Sequence, residues 1–69
     1  MNAGCFYEIQ IDGQLPDRWS AWFEGLAIRP EPQGCTTLCG RLVDQAALFG
    51  VLNKIHALNL VLVSVRRRG

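Results

Sequence analysis

The spacing of apolar residues in this 69-residue chain changes period in a fixed order, and that order limits the fold more than any other feature does. From Cys5 to Asp12 the side chains alternate, with Cys5, Tyr7, Ile9 and Ile11 on one side and Phe6, Glu8, Gln10 and Asp12 on the other. A period of two, rich in β-branched and aromatic residues, predicts a half-buried strand. Asp12-Gly13 ends it with turn chemistry. Pro16 then suits a first helical turn, where its fixed φ is an advantage and its missing N–H no loss. Asp17 favours the positive end of that helix. Leu15, Trp19, Trp22, Phe23 and Leu26 recur at spacings of three and four. They predict a short amphipathic helix that closes at Gly25 in a left-handed conformation.

Leu26 to Arg29 predicts a second strand, and Glu31-Pro32-Gln33-Gly34 a type I turn. Cys35 to Val43 returns as a third strand, with Thr36, Leu38, Gly40 and Leu42 on one face and Cys35, Thr37, Cys39 and Arg41 on the other. Asp44 is placed to cap a second helix. Its stripe is Leu48, Val51, Leu52, Ile55 and Leu58, and Asn59 offers a left-handed exit. Gly50 lies on the far side of that helix, where it costs propensity and nothing in the sequence explains it. Leu60 to Arg66 predicts a last strand, apolar on both sides at first. Strand, helix, strand, strand, helix, strand is the split βαβ pattern. The expectation is an α/β (α+β) fold of ferredoxin-like βαββαβ topology, with a four-stranded antiparallel sheet and two helices on one face. Residues 1–69 suffice for a single domain of this kind.

A domain this small buries only about 60% of the surface its unfolded chain exposes. Such domains are stabilised further by disulfides, metals, close packing or association. The first two find little support. Three cysteines is an odd number. Cys35 and Cys39 on one strand lie roughly 13 Å apart, whereas a disulfide needs Cα atoms within about 7 Å. Their spacing is not that of a redox or zinc motif, so packing or surface thiols are expected and no cofactor or metal. Net charge is +1, too weak to steer the chain toward nucleic acid or acidic lipid. Met1-Asn2-Ala3-Gly4-Cys5 shows no basic stretch followed by an apolar run, and no apolar run approaches the roughly 18 residues of a membrane span. The expected location is cytoplasmic.

His56, the single histidine, lies beside the core stripe on the same side as Phe49 and Gln45. No carboxylate or serine accompanies it there, which favours a contact surface over a general base. Glu8, Asp12, Asp17, Glu24 and Glu31 are dispersed over outer faces and loops. Trp19, Trp22 and Phe23 could stack on bases, yet their helical spacing favours core packing. An RNA-recognition module of this topology needs aromatics on its first and third strands. The third strand has none and the first offers Phe6 alone. Arg66, Arg67 and Arg68 are left as a weak phosphate contact.

The last strand is the anomaly. Edge strands normally carry charges or breaks that prevent pairing, and Leu60-Val61-Leu62-Val63 carries neither. Either a second chain pairs with this edge, or Leu60 and Leu62 on the open sheet face are covered by a partner. A homodimer is the economical answer, and Phe49, His56, Leu60 and Leu62 are the candidate partner-binding residues. The leading functional reading is a non-enzymatic interaction or regulatory module. Its alternatives are a small enzyme working between subunits, with His56 and Tyr7 meeting groups of a second chain, and a weak nucleic-acid binder acting through Arg66, Arg67 and Arg68.

Leu15 to Arg67 also resembles a group of small bacterial and archaeal proteins with no assigned function. The resemblance rests on Trp19-Ser20-Ala21-Trp22-Phe23-Glu24-Gly25, on Gly34-Cys35-Thr36-Thr37-Leu38-Cys39-Gly40, on Asp44 to Leu52, and on Leu62-Val63-Ser64-Val65-Arg66. It implies no activity, and Cys35 and Cys39 stand where that group has polar residues.

Overall fold

The structure is a computed structural model that describes residues 5–68, apart from the side chain of Cys5, so the core-side placement expected of Cys5 lies outside the described residues. Strands β1 (Cys5–Asp12), β2 (Ala27–Pro30), β3 (Cys35–Leu42) and β4 (Val61–Arg67) form one sheet in the order β2-β3-β1-β4. Every pairing is antiparallel. A 3-10 helix (Asp17–Phe23) joins β1 to β2, and helix α1 (Gln45–Ala57) joins β3 to β4. The fold is thus α+β, with a four-stranded antiparallel sheet and two helices packed on one side of it.

The alternation read from the sequence sets the sheet's two faces. β1 and β3 pair over their full length, putting Ile9 opposite Leu38 and Ile11 opposite Thr36. Residues directly opposite share a face, and these side chains are buried under the helices. Leu48, Val51 and Ile55 of α1 join them, with Phe23 and Leu26 from the first connection. The buried Thr36 hydroxyl donates to the Gly13 carbonyl at 2.7 Å, so its desolvation is compensated. Asp44 caps α1 as expected, its carboxylate accepting from the Ala47 N–H at 2.8 Å. Asn59 takes the left-handed exit at φ 60°.

The first helix differs from expectation. It is a 3-10 helix of seven residues, not an α-helix. Isolated α-helices this short are marginal, and Glu24 and Gly25 turn the chain back with φ of 60° and 76°. At three residues per turn, Trp19 and Trp22 stack above one another. Their rings meet edge-on at 5.5 Å. Only Phe23 of the expected aromatic stripe then turns fully into the core, while Trp22 is exposed. Lys54 of α1 fixes this arrangement by donating to the Trp22 carbonyl at 2.7 Å while its ammonium sits 5.3 Å from the Trp22 ring centre. Leu26 packs so closely on β3 that a Cβ at Gly40 would lie 2.9 Å from Leu26 Cδ2. That contact and a φ of 155° together favour glycine there.

Candidate association surface

β4 occupies one edge of the sheet, and none of its residues is buried. Val61, Leu62, Val63 and Val65 are 61, 44, 52 and 40% exposed. The strand's register shows where they point. Val65 lies opposite Ile9 and Leu62 opposite Ile11, so both take the helix side of the sheet. Leu60 packs against the core. The expectation that Leu60 and Leu62 lie on the open face is therefore corrected. The reason is that β1 and β4 pair in a register that gives Leu62 the same face as the core residues of β1.

The edge itself also differs from expectation. Pairing passes from Gln10 opposite Ser64 to Ile11 opposite Leu62, which leaves Val63 as an extra residue in a β-bulge. The strand expected to carry no break does carry one, and a bulge twists an edge away from continuous pairing. What remains unprotected is side-chain surface.

Helix α1 extends that surface. Its buried stripe of Leu48, Val51 and Ile55 faces the sheet. Lys54 lies on the flank turned toward the 3-10 helix, where it meets Trp22. At 3.6 residues per turn, Phe49, Leu52 and His56 fall on the opposite flank, and α1 packs against β4. Phe49 is 55% exposed, Leu52 half-buried and His56 exposed. Phe49, His56 and Leu62 thus belong to the helix side of the molecule, on its β4 side, while Leu60 acts as a packing residue at the base of β4.

The open face is mostly polar, with Val61 opposite Asp12 at one end of it. Glu8, Gln10, Thr37, Ser64 and Arg66 share it, with the Arg29–Glu31 ion pair at 3.1 Å. The Thr37 hydroxyl, and then the Arg29 guanidinium, hold the Glu31 carboxyl below the usual glutamate range. Cys35 and Cys39 are free thiols, half-buried, and lie on this same face opposite Asp12 and Glu8. The terminal arginines are divided between faces. Arg66 lies opposite Glu8 and Arg68 bonds Glu8 at 3.3 Å, whereas Arg67 lies opposite Tyr7 on the helix side. They do not form one basic patch, because strand alternation separates neighbours. Tyr7 is buried in the core, away from the exposed His56. Among the described residues no group of three metal-ligating side chains converges, and no helix is long and apolar enough to cross a membrane. The bulge at Val63 is disclosed only by the register on β1, whereas the division of the arginines follows from strand alternation and was open to sequence reading.

Residues 6–66 match a family described as a domain of unknown function, DUF8691, and the chain belongs to that family. No curated protein and no solved structure matches the chain.

Proposed function

We propose that this protein is a non-enzymatic interaction or regulatory module, a cytoplasmic homodimer that associates through β4 and the adjoining flank of α1. The observation that carries this reading is that an edge strand leaves four large apolar side chains exposed, of which Leu62 and Val65 lie on the helix side. Exposed apolar surface of this kind, next to Phe49 and Leu52, marks association sites more often than solvated faces. A second copy is the favoured occupant because closed two-fold pairing needs one self-complementary patch. A net charge of +1 opposes it little. Association also adds the burial that a small domain lacks on its own. The bulge at Val63 favours packing of side chains across the interface over one continuous intermolecular sheet.

A shortened ferredoxin-like sandwich is the finer fold reading. The element order and the antiparallel pairing of β1 with both β3 and β4 support it, and the 3-10 helix is its departure from two α-helices.

Light scattering at micromolar concentration, on the native chain and on Leu62→Lys, tests the function. The expected result is a dimer for the native chain and a monomer for the variant, which retains its fold by circular dichroism. A native monomer overturns the homodimer.

A further inference from the structure

The open face carries a hollow whose walls are charge-paired, and one cation is left inside it. The register lines up one side chain from each strand across this face. Arg29 lies opposite Thr37, Thr37 opposite Gln10, and Gln10 opposite Ser64. In the adjoining row Arg66 lies opposite Glu8. A hollow of about 210 Å³ opens over these two rows. Its floor is low because Thr37 and Ser64 are short. Toward β2 stands the Arg29–Glu31 pair, with the Thr37 hydroxyl donating to Glu31 at 2.9 Å. Toward β4, Glu8 is paired with Arg68 at 3.3 Å.

Each wall cancels its own charge, and Arg66 is left over. Among the described residues, the side chains of Arg66, Ser64 and Gln10 take no part in any hydrogen bond within the protein. A guanidinium, a hydroxyl and an amide therefore face one hollow with their donors open to a ligand. We propose that this hollow binds a small organic monocarboxylate. Its two oxygens would take the fork of Arg66, the geometry that guanidinium and carboxylate share. Ser64 and Gln10 supply neutral donors beside it. With Glu8 and Glu31 already paired, Arg66 supplies one uncompensated positive charge, which a monoanion neutralises and a dianion exceeds. The hollow is smaller than the roughly 300–1,000 Å³ of drug-sized sites, so the ligand has only a few carbon atoms.

The test is an amide chemical-shift titration of the full chain with sodium acetate, then with sodium sulfate at matched ionic strength. Saturable shifts are expected at Gln10, Thr37 and Ser64. Arg66→Gln should weaken acetate binding by about tenfold or more, the loss of one good charge-assisted contact. Arg67→Gln makes the same change of charge on the opposite side and should leave binding within about twofold. Unsaturable shifts, or equal losses in the two variants, overturn the site. Tighter binding of sulfate than of acetate overturns the monocarboxylate.

Discussion

The two edges of this sheet are protected to very different degrees. β2 is four residues long, carries Arg29 and Pro30, and leans against the 3-10 helix. A short edge with a charge and a proline offers a second strand little to pair with. β4 is seven residues long, and its first five include Val61, Leu62, Val63 and Val65. Its protection is one bulge and a run of arginines near its end. The bulge interrupts backbone pairing but hides no side chain. Strand addition and side-chain association are thus separate hazards: β2 is guarded against both, and β4 against only the first.

The contrast breaks most visibly in the core beneath the β2 side. Phe23→Ala should cost about 3–5 kcal/mol, close to everything a core of this size supplies. Urea unfolding is expected to find the variant largely unfolded in buffer. If it stays folded with a native midpoint, the 3-10 helix does not anchor this edge. Gly40→Ala should cost less, about 1–3 kcal/mol. Its Cβ meets Leu26 Cδ2, and its φ of 155° is one that side chains rarely adopt. Amide exchange should show the loss first in β2 and β3.

The ion pair between Arg29 of β2 and Glu31 just beyond it gives a pH-dependent effect. Glu31 has a folded-state pKa below its unfolded one, through the Thr37 hydroxyl first and Arg29 second. Its contribution is therefore complete above the unfolded pKa and fades as pH falls through the lowered folded value. Thr37→Val should move the Glu31 carboxyl back toward the ordinary range, read from its side-chain carbon signal during an acid titration. The smallest change in the isolated chain is expected at the other edge. Val63→Thr should alter the stability of dilute protein by no more than about 0.5 kcal/mol. At higher concentration it should reduce a stability gain that the native chain shows through association. A native stability independent of concentration would remove the proposed difference between the edges.

Much of this fold was legible because periodicity reports faces directly. The alternation of Cys5 to Asp12 located β1, and Asp44 and Asn59 marked where α1 begins and where the chain leaves it. The Trp19-Trp22-Phe23 spacing misled because i, i+3 neighbours are common to α- and 3-10 helices, and only chain length and the left-handed pair Glu24-Gly25 separate them. The exposure of β4 could be suspected from Leu60-Val61-Leu62-Val63, but its register could not. One inserted residue reverses every face beyond it, and the bulge at Val63 is set by pairing with β1. The open-face hollow was illegible for a similar reason, since Arg29, Thr37, Gln10 and Ser64 are brought together by three separate registers.

The proposed dimer has a second copy covering the β4 side of the molecule. Isotope-filtered nuclear Overhauser spectra on a mixture of labelled and unlabelled chains test it most directly. Contacts between chains are expected from the methyl groups of Leu62 and Val65 and the ring of Phe49, with none from Thr37 on the open face. Contacts confined to the open face, or no contacts between chains at millimolar concentration, would contradict it.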